Sequence, residues 1–164
     1  MGMYCIFHRI SLEKLESYLE NSDLLEEDFY SNEVSQIPQL DIDKAWNGIL
    51  FLLTGGSLED AENHILGKVI LGSADIDKKK IIGYSSARYL LPEEVKSLND
   101  KIKTLNTDDL KYRFDPLAMK KLEIYPNIWE DKNSFEYLQE YFMQLQSFYQ
   151  HASWANEAIV ISIA

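Results

Sequence analysis

The sequence predicts an α+β (mixed α/β) domain, with a small central sheet that includes the N- and C-terminal strands and is wrapped by several helices. Three observations carry that expectation. The chain opens on MYCIFHRI and closes on AIVISIA, two apolar strand-like runs. Between them apolar residues recur mostly at helical spacing, bounded by helix-start and helix-stop residues. Few strands with many helices between them fit a sheet covered by helices. At 164 residues, 46% hydrophobic and 26% charged, the chain suits one domain over 1–164 with a real core.

Met3 to Ile10 is apolar on both alternating faces, as expected of an interior strand covered on both sides. Ser11 can cap the helix that follows, with Leu12, Leu15 and Leu19 on one stripe. A short helix is expected over Leu24 to Tyr30, and Pro38 breaks the chain after it.

The longest apolar run follows, LDIDKAWNGILFLLTGGS at 40–57. Asp41 is placed as N-cap and Asp43 in the first turn, where the helix dipole favours an acid. Trp46, Ile49, Leu50 and Leu53 make a broad stripe that should be buried, and Gly55 suits the left-handed stop. Ser57 with Asp60 opens another helix as an acidic capping box. His64 to Leu71 is a further helical piece closed by Gly72.

Ile81 to Tyr89 reads as one strand. Pro92, Glu93 and Glu94 open a helix, with Pro in the first turn and acids at the positive end of the dipole. Thr107 with Asp108 and Asp109, and Asp115 with Pro116, mark two more helix starts. EIYPNIW at 123–129 is a turn or short strand around Pro126. From Phe135 to Ala152, apolar Phe135, Leu138, Phe142, Leu145, Phe148 and Tyr149 oppose Glu136, Gln139, Glu140, Gln144 and Gln146. That is the clearest amphipathic helix in the chain. The strand from Glu157 to Ala164 is too apolar to stand unpaired, and the N-terminal strand is its expected neighbour.

The net charge of −11 is unevenly placed. Residues 1–64 hold 13 acids against three bases, while residues 65–164 hold 14 against 13. The acid is densest from Glu13 to Glu33, and Glu13, Glu16, Glu20, Glu26 and Glu27 define an acidic face. This sign opposes nucleic acid and anionic lipid and suits a basic protein partner, or simply a solvated, solubilising surface. One cysteine, Cys5, excludes an internal disulfide and fits a reducing compartment. No run is long or apolar enough to span a membrane. The N-terminus lacks the plan of a signal peptide, so the cytoplasm is expected.

Chemical motifs are sparse. His8, His64 and His151 are scattered, and no spacing matches a metal site. Gly55-Gly56-Ser57 has no P-loop lysine, and Glu59 and Asp60 would repel a phosphate. No nucleophile elbow is present, Cys5 reads as a buried, inert thiol, and no cofactor is expected. One polar and aromatic group stands out: Asp41, Asp43, Lys44 and Trp46 at one helix entrance, Arg88 and Tyr89 at a strand end, Tyr125 and Trp129 around Pro126. Cations beside aromatic rings are good material for recognising a ligand or partner. The structural alternative is that Arg88 pairs with an aspartate and Trp46 is core.

These segments carry a resemblance. The opening MGM, LDIDKAWNGILFLLTG, GYSSARYLLPEEV, FDPLAMKKLEIYP, Trp129 and SFEYLQEYFMQLQSFYQHA together resemble the YfbM-like proteins, a bacterial family of unknown function. The resemblance covers almost the whole chain. It implies a compact α/β domain without an established activity. Two motifs depart from the family pattern. Members commonly carry W-D-x-L-H in the Trp-containing helix, where Asn47 and Leu50 take the Asp and His places here. Any acid–base pair at those positions is therefore missing. Leu91 replaces the Thr or Ser before the Pro-Glu-Glu helix start, at a cost of about 1 kcal/mol of capping.

Three readings of function follow, the third being a structural accessory protein with no small ligand, which an exposed apolar patch or an obligate dimer would favour. The first is a non-catalytic binding protein, in its sharpest form an immunity-type protein whose acidic face neutralises a basic protein. The second is a small-molecule enzyme. There Lys44, Arg88 and Tyr89 would bind an anionic group and Asp41 or Asp43 would act as base. A cavity joining residues 41–46 to residues 88–89 would favour the second.

Overall fold

The computed structural model describes residues 2–30 and 36–164; Glu33 of the acidic run lies outside the described residues. Five antiparallel strands form the main sheet, in the order β2 (Gln39–Asp41), β1 (Cys5–Ile10), β7 (Ala158–Ile163), β6 (Arg88–Leu90) and β3 (Ala74–Asp75). The expected neighbours meet: β1 and β7 pair from Cys5↔Ile163 to Ile10↔Ala158. The fold is α+β.

Alternation along these strands divides the core. Cys5 and Phe7 of β1, with Ile159 and Ile161 of β7, face the larger cluster. There they meet α3 (Trp46–Thr54), α6 (Pro92–Ile102) and α9 (Ser134–Trp154). Ile10 and Val160 face the other side, onto α1 (Leu12–Glu20) and α2 (Leu24–Tyr30). Full burial of a side chain such as Phe7 contributes about 2–3 kcal/mol.

Local chemistry sets the helix ends. The Ser11 hydroxyl accepts the Lys14 N–H at 3.1 Å. Ser57 and Asp60 cap α4 (Leu58–Glu62) reciprocally. Gly55 (φ 75°) ends α3, and Gly72 (φ 67°) ends α5 (Lys68–Leu71). Leu91 has no acceptor to offer α6, yet Glu94 Oε2 accepts the Leu91 N–H at 2.9 Å, so half of the capping box survives.

Several expectations are corrected. Leu12 and Leu19 are 42% and 43% exposed, and α1 buries Leu15 and Tyr18 instead. Tyr18 offers a larger apolar body, and its hydroxyl donates to Asp28 at 2.7 Å, so the helix turns that face inward. Asp41 ends β2 rather than capping a helix. Its Oδ1 accepts the Asp43 N–H at 2.7 Å and shapes the 3₁₀ turn Asp43–Ala45 that precedes α3. The cap of α7 (Thr107–Arg113) is Asn106, one residue earlier than expected. The segment 123–129, expected as a turn or short strand, is the turn.

The run 81–89 is not one strand. It forms a hairpin of β4 (Ile81–Ile82) and β5 (Ser85–Ser86), then the separate β6. Gly83 (φ 73°) makes the break: a Cβ there would stand 2.4 Å from Ala164 Cα, so only glycine lets the hairpin pack on the end of β7.

Candidate functional site

Sheet register places the first functional side chain. Asp75 pairs with Arg88, and Arg88 with Ile161, so three neighbouring strands align these side chains on one face. The next row, Tyr89 against Val160, points to the opposite face, where Tyr89 packs on the smaller core cluster. Adjacent in sequence, Arg88 and Tyr89 therefore cannot share a site.

Two glycines shape the wall above this row. Gly67 closes the 3₁₀ turn Ile65–Gly67 against α4, so tightly that a Cβ would come 1.9 Å from the Ala61 carbonyl oxygen. Gly72 turns the chain out of α5 into β3. Between these segments, β5 and the sheet lies a cavity of about 500 Å³. Its apolar lining includes Trp46, Ile161 and Ile163, and its polar lining Glu62, Lys68, Asp75, Ser86 and Arg88. The volume falls in the range of about 300–1,000 Å³ typical of small-molecule sites.

Arg88 is held firmly there. Its Nε donates to the Leu71 carbonyl at 2.5 Å, and its Nη1 to Asp75 Oδ2 at 3.1 Å. The Ser86 hydroxyl donates to Asp75 Oδ1, which fixes the carboxylate in turn. Nη2 takes part in none of these bonds. Trp46 is only 3% exposed, and its indole N–H donates to the Met3 carbonyl at 3.1 Å. What it presents to the cavity is apolar ring.

The other sequence candidates gather elsewhere. Lys44 Nζ lies 5.5 Å over the Tyr4 ring, and the Tyr125 hydroxyl accepts the Met3 N–H at 2.9 Å. With Trp46, whose ring centroid is 6.1 Å from that of Tyr125, they hold the start of the chain in place. Asp43 accepts the Tyr137 hydroxyl at 2.7 Å, and burial together with that carboxylate raises the Tyr137 pKa well above the ordinary phenol value. Asp41 is exposed in its turn. Trp129 is 1% exposed, packed near Gly48, with its N–H on the Ile124 carbonyl at 2.7 Å, so it is core. Of the eight candidates, the cavity brings together Trp46 and Arg88. The structural alternative also holds for these two, since Arg88 does pair with an aspartate and Trp46 is largely buried.

Sequence reasoning missed Lys68, Glu62 and Ser86. No motif marks them. The signal available was the pair of glycines at 67 and 72 around a four-residue helix, a spacing that implies close backbone approach. Cys5 is fully buried, and burial pushes its thiol pKa well above the usual range.

Comparison with known proteins bears on the family and the fold. The family model described as "Domain of unknown function (DUF1877)" matches residues 1–162. The chain belongs to the DUF1877 family. One relative, Protein YfbM of Escherichia coli (strain K12), is 30% identical over 129 residues, covering 78% of this chain and 75% of its own. A crystal structure described as that of a protein of unknown function, YfbM from Escherichia coli, superposes with a TM-score of 0.77 at 23% identity. The match covers 98% of this chain and 99% of the other, and at that identity it speaks for the fold. In α3, Trp46 lines the cavity, whereas Asn47 and Leu50 are buried and do not line it. Among the described residues no three His, Cys, Asp or Glu side chains converge as a metal site, and no helix is long and apolar enough to cross a membrane.

Proposed function

We propose that this DUF1877 protein is a cytoplasmic, non-catalytic binding protein that takes a small organic molecule between the 58–72 segment and the sheet. The observation that carries the reading is that Trp46 and Arg88, from distant parts of the chain, line one cavity of about 500 Å³. An apolar floor with a few fixed polar groups is how small-molecule sites gain both affinity and orientation. The test is ligand-observed NMR with a chemically diverse compound set, on the wild type and on Leu58→Trp. Leu58 lines the cavity and is 40% exposed, so the larger ring can block the site without disturbing the core. Compounds should bind the wild type and lose their signal with the variant. Binding that persists unchanged in Leu58→Trp, or none at all, sinks the reading.

A second reading, a basic protein partner for the acidic face, is favoured by a separate observation. Glu13, Glu16, Glu20, Glu26 and Glu27 are all exposed on α1 and α2, with Leu12 and Leu19 exposed among them. Apolar side chains set among acids suit an amphipathic basic surface, and charge would steer its approach. Reversal to Lys at Glu16, Glu20 and Glu26 should slow association with such a partner and flatten its salt dependence. An unchanged on-rate and salt slope would exclude this face.

A further inference from the structure

The charges lining the cavity are balanced in number and unequal in commitment. Lys68 and Arg88 supply two cations, Glu62 and Asp75 two anions. Asp75 is occupied: one oxygen accepts Arg88 Nη1 and the other the Ser86 hydroxyl. Lys68 and Glu62 form no ion pair among the described residues. They sit on opposite sides of the tight turn at Gly67, at the start of α5 and the end of α4. The cavity therefore keeps one unpaired cation and the free Nη2 of Arg88, one unpaired anion, and an apolar lining of Trp46, Ile161 and Ile163.

A simple anion would satisfy Lys68 and Nη2 but bring its charge towards Glu62. A simple cation would meet Glu62 and be repelled by Lys68. A ligand carrying both signs satisfies both groups, and charge-assisted hydrogen bonds of this kind are stronger than neutral ones. The apolar lining asks for an apolar body on the same ligand.

We propose that the cavity takes an apolar zwitterion of the free α-amino acid class, its carboxylate on Lys68 and Arg88 Nη2, its ammonium on Glu62, and its side chain against Trp46, Ile161 and Ile163. This rests on the small-molecule reading above and narrows it to one ligand chemistry. Specificity comes from the ends: masking either charge of the ligand strands a group of the protein.

The experiment is calorimetric titration with phenylalanine, leucine, glycine, N-acetylphenylalanine and phenylalaninamide, on the wild type, Glu62→Gln and Lys68→Gln. Glu62 is exposed and Lys68 half-buried, and neither is paired, so both variants should fold. Phenylalanine and leucine should bind, glycine more weakly. The acetylated compound and the amide should each bind about tenfold more weakly than phenylalanine. Glu62→Gln should close the gap to the acetylated compound, and Lys68→Gln the gap to the amide. Equal binding of the masked compounds to the wild type, or gaps that the variants leave unchanged, overturns the inference. If none of the five binds while other compounds occupy the cavity and lose it in Leu58→Trp, this inference falls and the small-molecule reading stands. If no compound of any class occupies the cavity, both fall.

Discussion

His8 should make folding of this protein sensitive to mild acid. It lies on β1, 3% exposed, with its ring stacked on Phe29 at a centroid distance of 3.7 Å and an interplanar angle of 6°. Its Nδ1 has no hydrogen-bond partner. Burial lowers its pKa from 6.5 to about 4, against a smaller opposing effect from its bond to Gln39. The fold therefore prefers the neutral ring. Above pH 6.5 both states carry it neutral and the stability is fully present. As pH falls towards 4 the unfolded chain binds a proton that the folded one refuses, and stability is lost. With these two pKa values, linkage gives a loss of about 2 kcal/mol between pH 7.5 and pH 5.

The assay is urea denaturation at a series of pH values from 7.5 to 4.5, following the midpoint at constant slope. Asp60 and Asp77, held low by bonds from Ser57 and Ser22, lose their contributions only below about pH 4, outside this window. Phenylalanine at position 8 keeps an aromatic ring for the stack and removes the proton site. The wild-type midpoint should fall across the window, and that of His8→Phe should stay flatter. A flat wild-type profile, or an equal fall in His8→Phe, refutes the reasoning.

Four further predictions each concern a single residue. Gly67→Ala should destabilise by about 2–3 kcal/mol, because the new methyl meets a backbone oxygen that cannot swing away. In the same urea measurements Gly55→Ala should lose only about 1 kcal/mol, since it meets nothing within 4 Å and suffers from its positive φ alone. Tyr149→Phe should cost about 1–2 kcal/mol in thermal or urea unfolding, because it strands the Val69 carbonyl that the buried hydroxyl reaches at 2.6 Å. Cys5 should resist Ellman's reagent in the native protein and react fully once unfolded, since burial both hides the thiol and keeps it protonated.

Periodicity and capping chemistry made most helices legible. Ser11, Gly55, the Ser57–Asp60 box, Asp115 and the long aromatic stripe of α9 are local signals, and local hydrogen bonds honour them. The misread places depend on distant partners. Leu12 looked equal to Leu15 until the position of Asp28 decided how α1 turns. The run 81–89 looked continuous until Ala164, half the chain away, met Gly83. The site was legible by halves for the same reason. Residue types drew attention to Trp46 and Arg88, but side-chain alternation on β6 separated Tyr89 from Arg88, and only the fold brought Glu62 and Lys68 to the cavity. Aromatic and charged residues are equally conspicuous in sequence whether they hold the chain start, as Lys44 and Tyr125 do, or fill the core, as Trp129 does.

The departure from the family pattern at positions 47 and 50 gains a physical meaning from where they sit. Positions 47 and 50 are one helical turn apart on α3, both buried and both outside the cavity lining. An Asp and a His there would form a pair inside the core, and replacing such a pair with neutral groups can leave stability unchanged. Asn47 and Leu50 are both neutral, and Asn47 Oδ1 is buried without a partner. The change therefore belongs to the packing of α3 and leaves the cavity's own charges, on α4, α5, β3 and β6, untouched. An Asn47→Leu variant, which removes the unpartnered oxygen while keeping the branching of the side chain, should be no less stable than the wild type and should bind cavity ligands equally well. Loss of binding with retained stability would mean that position 47 reaches the site after all, and the separation of core from cavity drawn here would fail.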